Sequence, residues 1–389
     1  MKNEEDDKIK MKISSNRQFI DLRLDRKRNN FLLSTKNAFI LIILLIILLF
    51  FFSVINIKFK GKRLKEKLSL KSLDNSKNIN IFLEKLKLIL DNDELLENEM
   101  MSRHTTFKLG GPAKFFTIPK SINKIIEIIH LCKEYSIEYF ILGNGSNLLV
   151  SDSGYEGLII NIHENNFSDL KVEKLDELNY KIIVGGGILM RNLAQKMCLL
   201  SLSGLEDIID IPGTIGGGII MNASAGGKGL IFNSLERVKI ITPDGDIKEL
   251  TKSECQLKFR GSLLKDKKYI VIEAVFKMIK GDKMVIQKIL SNHTSQRYAN
   301  QPMYFPSAGS FFMWNKSKYG SLYEKYKENN LVGYKVGDAM IYTFNIAFIV
   351  NLGNAKSSEV YGIVMNVEKI MKAKYNIDIK KEVVILGAF

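Results

Sequence analysis

The stretch GLEDIIDIPGTIGGGIIMNASAGGKG, residues 204–229, restricts the fold more than any other part of the chain. Pro212, Gly213 and Thr214 are followed by Gly216, Gly217 and Gly218, which leaves the backbone little side-chain cover. Ile211, Ile215, Ile219, Ile220 and Met221 interleave those glycines, so the segment is expected to be buried rather than to serve as a solvated linker. A buried backbone must find acceptors for its N–H groups. The expectation is therefore a glycine-rich loop whose N–H groups meet a bound group.

A second stretch makes the same demand. LGNGSNLLVSD, residues 142–152, follows the apolar strand EYFIL (138–142) and places Gly143, Asn144, Gly145, Ser146 and Asn147 in a turn. Glycines let backbone N–H groups approach an anion, and the Ser and Asn side chains add donors. The stretch has no Lys, so it is not a Walker loop, and it lacks the G-x-G-x-x-G spacing and following helix of a Rossmann turn. On its own it also reads as a tight surface turn. Together the two stretches point to a dinucleotide held by backbone donors without a Rossmann fold.

The rest of the chain sets the frame. INIFLEKLKLIL (79–90) has helical spacing, and FKLGGPAKFFTI alternates like a strand with a glycine break. Ser121 is placed to cap a helix with Ile122, Ile125, Ile126 and Ile129 on its apolar side. EGLIINI, YKIIVGGG, ERVKIIT and IKELT read as strands, the last two joined by the turn PDGD at 243–246. A helix at about 358–374 precedes a closing strand, KEVVILG. Strands outnumber helices without alternating with them, which makes this an α+β chain.

Cys132, Cys198 and Cys255 stand in unrelated contexts, neither a disulfide framework nor a zinc pattern, as in a reducing compartment. His104, His130, His163 and His293 are scattered, which argues against a metal enzyme. The net charge is +15, but residues 1–80 hold 18 Lys and Arg against 8 Asp and Glu. The excess belongs to the tail, which argues against nucleic-acid binding by the folded body.

The run AFILIILLIILLFFFSVI (38–55) carries no charge and is long enough to cross a bilayer as a helix. The division expected is a basic tail (1–37), a candidate transmembrane helix (38–57), a charged linker (58–80) and two domains, 81–281 and 282–389. An over-extended start site is the other reading of the first 80 residues.

In order along the chain stand TTFKLGGPA, GNGSNLLVSD, GLEDIIDIPGTIGGGIIMNASAGG, FRGS, SAGSFF and KEVVILG. On these stretches, over roughly residues 100–389, the chain resembles the UDP-N-acetylenolpyruvoylglucosamine reductase family. The resemblance implies an FAD-binding fold of the vanillyl-alcohol-oxidase type, here residues 81–281, followed by a smaller α+β substrate-binding domain, 282–389. It implies that Gly143, Asn144, Gly145, Ser146 and Asn147 line the FAD pyrophosphate, and that Gly213, Thr214, Gly216, Gly217 and Asn222 wrap the flavin side.

It also implies NADPH-dependent reduction of UDP-N-acetylglucosamine enolpyruvate in peptidoglycan precursor synthesis, by a cytoplasmic monomer. The membrane run, if an anchor, would tether that enzyme to the inner face of the cytoplasmic membrane. A catalytic trio follows from the same resemblance: Arg260 in FRGS, Ser310 in SAGSFF and Glu382 in KKEVV. Hydride would pass from flavin N5 to C3 of the enolpyruvyl ether, and a proton from Ser310 to C2. A guanidinium suits the substrate carboxylate, and Glu382 would orient it, polarise the site or serve the proton relay. Phe311 and Phe312 are expected to wall Ser310 from water, with Ser310 itself in a flexible turn. The G-x-S-x-G spacing of a nucleophile elbow is absent.

The departures are specific. Asp210 stands at a usual glycine, NASAGG replaces Asn-Ala-Gly-Ala-Tyr-Gly, and Phe259 replaces a tyrosine. Met313 and Trp314 follow the Phe pair where the family tends to read x-Asn-Pro, and Asn345 and Ala347 stand at a usual His and Asn. The short interval from Arg260 to Ser310 is similar to that of a shorter subclass without an inserted tyrosine loop. Two rivals stay open: another non-covalent FAD oxidoreductase of this fold acting on a hydroxy acid or sugar, and an inactive membrane-anchored scaffold. Neither glycine-rich stretch contains a His for covalent flavin, and Arg260, Ser310 and Glu382 together argue against the scaffold.

Overall fold

In the computed structural model the described residues are 77–163, 167–223 and 232–389. A unit ending at Asn78 is followed by a second unit, Ile79–Phe389, which holds the sheets, cores and site. The basic tail and candidate span over 38–57 lie outside the described residues. Among the described residues, no helix is long and apolar enough to cross a membrane.

Residues 77–89 form helix α1, as the spacing predicts. The first sheet is built from β1 (Leu95–Met100), β2 (Pro112–Thr117), β3 (Tyr139–Leu142) and β5 (Tyr155–Asn161), in the order β1-β2-β5-β3. β5 lies parallel to β2 and β3, while β1 is antiparallel to β2. Helix α2 (Ile122–Glu134) crosses between β2 and β3. The Ser121 hydroxyl accepts the Lys124 N–H, and Ile125, Ile128 and Ile129 are fully buried. Burying each such side chain contributes about 1.5–3 kcal/mol. β3 is less covered than EYFIL suggests: only Leu142 is buried, because the outer face of this edge strand lines a cavity.

After the short β4 (Leu148–Val150) comes a six-stranded antiparallel sheet ordered β10-β9-β11-β7-β6. Its strands are β6 (Leu170–Lys174), β7 (Asn179–Gly185), β9 (Leu235–Ile241), β10 (Ile247–Thr251) and the long β11 (Ile270–Lys280). β8 (Leu202–Ser203) adds to the far end of β11. Helices α3 (Met190–Leu199) and α4 (Ile215–Met221) cover this sheet, and α5 (Leu263–Asp266) is a single turn before β11.

α4 corrects the expected loop. Thr214 caps the helix, its hydroxyl accepting the Gly217 N–H at 3.3 Å. Inside the segment Ile215 N–H donates to Ile188, Gly216 to Gly186 and Gly218 to Thr214, and ahead of it Gly213 donates to Ile211. These N–H groups are satisfied by the protein itself. The glycines serve close packing: a Cβ on Gly216 would come within 3.0 Å of the Val271 carbonyl oxygen on β11.

The C-terminal layer begins with α6 (Lys283–Asn300), whose Ile286 and Leu290 still pack in the core of the six-stranded sheet. A four-stranded antiparallel sheet follows, ordered β12-β16-β15-β14, from Ser307–Ser310, Phe348–Asn351, Ala339–Ile341 and Lys335–Val336. β13 (Phe312–Met313) pairs with β17 (Lys380–Lys381). Short helices α7 (Lys316–Tyr319) and α8 (Leu322–Glu328) lie between, and α9 (Ser357–Tyr375) packs on the sheet, matching the helix expected near 358–374. The final strand β18 (Val384–Leu386) leaves this layer and pairs in parallel with β4.

Gly216→Ala tests the packing of α4. Alanine ordinarily favours a helix interior by about 1 kcal/mol over glycine. Here its methyl group meets backbone carbonyls that cannot swing away, so a net loss of about 1–3 kcal/mol is expected in urea unfolding. An unchanged midpoint would show that β11 and α4 do not approach as described.

Candidate active site

A cavity of about 1370 Å³ runs along the edge of the first sheet, past α4, to β12. Most ligand pockets are about 300–1,000 Å³, so this one has room for more than one small molecule. Gly143, Asn144, Gly145, Ser146 and Asn147 line it, as do Gly213, Thr214, Gly216, Gly217, Arg260, Ser310 and Glu382. The proposed cofactor loops and the trio, spread from 143 to 382 in sequence, converge on one space. Asn222 is the exception: it is buried and is not among the lining residues.

The two glycine-rich segments touch. A Cβ on Gly143 would lie 2.6 Å from the Thr214 hydroxyl, and Asn144 Nδ2 donates to the Pro212 carbonyl at 3.1 Å. His163 Nε2 meets Asn144 Oδ1 at 3.3 Å. Their backbones differ in what they leave open. The carbonyls of Gly145 and Asn147 accept from Thr106 and Val384, but among the described residues no acceptor meets the N–H groups of residues 143–147. Successive unpaired N–H groups facing a cavity fit a diphosphate. The anion-cradle reading therefore belongs to the first stretch, while the second supplies a wall.

Arg260 sits in a tight turn in which Lys258 and Gly261 exchange both backbone hydrogen bonds, at 2.9 and 3.1 Å. Its φ is +55°, the left-handed region that costs a residue with a Cβ about 1–2 kcal/mol. The turn is held from behind: Asn222, the left-handed C-cap of α4, donates from Nδ2 to the Lys258 carbonyl at 3.0 Å. The resemblance places Asn222 beside the flavin; in the structure its side-chain amide meets the turn that carries Arg260. Phe259, at the usual tyrosine, points outward and is 66% exposed.

Arg260 Nε lies 2.8 Å from Glu382 Oε1, with both side chains largely buried. Glu382 is clamped along its main chain, where its N–H donates to the Phe311 carbonyl (2.9 Å) and its carbonyl accepts Asn147 Nδ2 (3.1 Å). Asn147 thus reaches from the glycine loop to the acidic residue. Burial pushes the Glu382 carboxyl above its ordinary range, and the Arg260 charge opposes that rise without cancelling it.

Ser310 ends strand β12 rather than occupying a flexible turn. The register shifts between Ser307, opposite Val350, and Ser310, opposite Phe348, so one extra residue is accommodated as a bulge. Gly309, with φ +80° and open space where a Cβ would be, allows that bulge, and Ser310 lines the cavity. Phe311 and Phe312 do not wall the cavity. They are buried in the C-terminal core beside Phe107, Tyr326 and Val360, where they anchor the strand.

At the usual glycine, Asp210 has φ +57°. Its carboxylate lies 3.2 Å from Arg191 Nε and accepts the Thr294 hydroxyl. Asn345, at the usual His, donates to the Asn300 carbonyl at 2.7 Å and accepts the Ala347 N–H. Met313 pairs with Lys380 in β13, and the Trp314 indole donates to the Gly320 carbonyl, so both serve the C-terminal layer.

Comparison with known proteins agrees with this geometry. An FAD binding domain family matches residues 113–251, and the C-terminal domain of UDP-N-acetylenolpyruvoylglucosamine reductase matches 301–386. The reductase of Lachnoclostridium phytofermentans is 33% identical over 308 residues, covering 79% of this chain and 98% of that protein. That of Carboxydothermus hydrogenoformans is 36% identical over 300 residues, 75% and 94% of the two chains. The crystal structure of the Thermus caldophilus reductase superposes with a TM-score of 0.60 at 27% identity, covering 76% of this chain and 98% of that one.

An α+β FAD-binding fold with a charged pair and a hydroxyl on its cavity defines a flavin-dependent oxidoreductase. The chain belongs to the UDP-N-acetylenolpyruvoylglucosamine reductase family.

The Glu382 environment predicts a pH signature. A carboxyl whose folded pKa is raised contributes stability that is complete below its unfolded pKa and lost as pH rises through the folded value. The stability of the wild type relative to Glu382→Gln should therefore fall as pH rises from about 4.5, the ordinary carboxyl value, through the raised folded value, then level off. A wild type that gains on the variant as pH rises would mean that Arg260 dominates instead.

Proposed function

We propose that the chain reduces UDP-N-acetyl-3-O-(1-carboxyvinyl)-glucosamine to UDP-N-acetylmuramate with NADPH, a step in peptidoglycan precursor synthesis. The observation that carries this reading is the meeting of Arg260, Ser310 and Glu382 on the cavity that also receives the open amides of Gly143–Asn147. Those amides, with the Ser146 and Asn144 side chains, would hold the FAD diphosphate, while Gly213, Thr214, Gly216 and Gly217 flank the flavin side. FAD, when bound there, would supply the redox chemistry that reduction of the enolpyruvyl double bond by NADPH requires. Substrates of this kind are cytoplasmic, which supports a cytoplasmic location for residues 80–389.

The chain's own groups do the remaining work. Arg260, oriented through Nε by Glu382, presents a planar, permanently charged group to the substrate carboxylate, where negative charge grows during reduction. Ser310 donates the proton to C2. A hydroxyl is a weak acid in water, so it must face a strongly basic enolate in a site from which water is excluded. Asn222 acts on Arg260 through the Lys258 carbonyl and is a positioning residue.

Ser310→Ala tests the assignment by half-reactions. Reduction of bound flavin by NADPH should be nearly unchanged, and reoxidation by the enolpyruvyl substrate should slow on the order of 10²–10⁴-fold. Equal slowing of both, or loss of flavin, would make Ser310 structural.

A companion pair separates the roles of Asn222. Asn222→Gly keeps the left-handed cap and loses the donor, whereas Asn222→Asp keeps the shape and sets an acceptor against the Lys258 carbonyl. Both should retain FAD and slow only the second half-reaction, by about ten-fold for one lost hydrogen bond of about 1.4 kcal/mol. Loss of FAD would return Asn222 to the cofactor.

A further inference from the structure

One edge of the cavity carries chemistry that the catalytic trio does not use. The connection from α6 to β12, residues 301–306, contributes Tyr304 and Phe305 to the cavity lining. Tyr304 is 86% exposed, and its ring lies 6.3 Å from Tyr298. Phe305 starts a second run, with its ring 6.1 Å from Tyr342 and the latter 5.6 Å from Phe344. Phe344 is also 86% exposed.

Aromatic side chains usually contribute most by burial, and a contiguous exposed group beside a cavity marks a recognition surface. Nothing in the fold requires these rings to be outside. Phe311 and Phe312, a few residues away, are buried, so the C-terminal layer has a core that accepts aromatics.

We propose that these rings form a stacking shelf for the pyrimidine base of the nucleotide substrate, with Tyr304 and Phe344 as its principal faces. The proposal rests on the functional reading above for the identity of the ligand and on the ring geometry for its place. A nucleotide-linked sugar must keep its reacting end beside Arg260 and Ser310 while its base lies elsewhere. Tyr304 and Phe305 line the same cavity, Phe344 continues outward from Phe305 through Tyr342, and the rings offer flat apolar faces, which suit a planar base. Arg297 and Gln301, from the same stretch of chain, also line the cavity and bring a guanidinium and an amide to the approach. Arg297 Nη1 donates to Gln301 Oε1 at 3.3 Å, which fixes both at this edge. Stacking needs no specific hydrogen bond, which explains how Asn345 can brace the Asn300 carbonyl instead of addressing a ligand.

The test uses the FAD-loaded full chain with Tyr304→Ala, Phe344→Ala, the double variant and Tyr304→Phe. UDP binding is measured by calorimetry, alongside KM and kcat for the enolpyruvyl substrate and for NADPH. Each alanine variant should weaken UDP about ten-fold, the order expected for one lost base–aromatic stack, and the double variant further. KM for the sugar substrate should rise in parallel with kcat little changed, while Tyr304→Phe and the NADPH KM stay near wild type. Exposed rings do not support the core, so melting temperatures should hold.

Unchanged UDP affinity overturns the shelf. Weakened NADPH binding alone also overturns it, assigning the rings to the dinucleotide's base. A change in sedimentation with UDP affinity intact would make the rings a contact between copies of the chain, and the proposal would fall. A wild type that binds UDP through these rings yet never reduces the enolpyruvyl ether would leave the shelf standing and refute the functional reading instead.

Discussion

The parallel pairing of β18 with β4 is the constraint on which the site depends. Val384, Ile385 and Leu386 lie beside Leu148, Leu149 and Val150, so the end of the chain returns to the segment directly after the glycine loop. Parallel neighbours need a long connection, and here residues 151–383 are that connection. Glu382 stands just before the pairing starts. Its carbonyl receives Asn147 and its N–H reaches Phe311, so one residue is fixed to the glycine loop on one side and to the Ser310 strand on the other. The proposed cofactor cradle, the proposed proton donor and the charged pair share a frame because the last strand crosses back.

Within that frame the Arg260–Glu382 pair is held for geometry rather than for stability. Removing two charges from water costs more than their attraction often returns, and the upward shift of Glu382 shows that the cost is not fully offset here. Arg260 also occupies a left-handed backbone conformation, a further local cost that the Asn222 amide and the paired Lys258–Gly261 turn sustain. Cost in one place supported by partners around it is the usual physical mark of a working site. An arginine suits the position because its fixed planar fork can hold Glu382 through one edge and keep a defined orientation toward the cavity, whereas a lysine would supply a mobile point charge.

The sequence made much of this legible, and the failures have specific causes. Local periodicity located α1, α2, α9 and the turn between β9 and β10, since each depends on residues close in the chain. That Arg260, Ser310 and Glu382 meet on one cavity was legible only through motif order, because each is individually ordinary. The second glycine stretch misled through its composition. Glycine is a poor helix former, yet α4 exists because Gly216 must approach the carbonyls of Val271 and Gly186, a contact set by distant strands. Phe311 and Phe312 misled for a related reason. Adjacent residues on a regular strand face opposite ways, but the bulge at Gly309 and the change of partner from β16 to β17 let both rings enter the core. No local signal distinguishes Asn222 as a flavin contact from Asn222 as a brace, because its partner lies on another turn.

Asp210 shows how a departure from the family pattern can be physically exact in its setting. The position has φ +57°, which glycine adopts without penalty and other residues do not. Aspartate tolerates the left-handed region better than most side chains because its short polar group can bond locally. It goes further here, joining Arg191 on α3 and Thr294 on α6 from the entrance of α4. A glycine would lose this side-chain link to both helices, leaving α3 tied to the 210–218 segment through the Met190 N–H on the Gly213 carbonyl. The carboxylate thus exchanges local backbone strain for a polar link among three elements bordering the cavity. It also sets a negative charge near the buried Arg297, opposing the loss of guanidinium basicity that burial causes there. The same residue that strains the backbone therefore helps keep a cation at the edge where the aromatic rings gather.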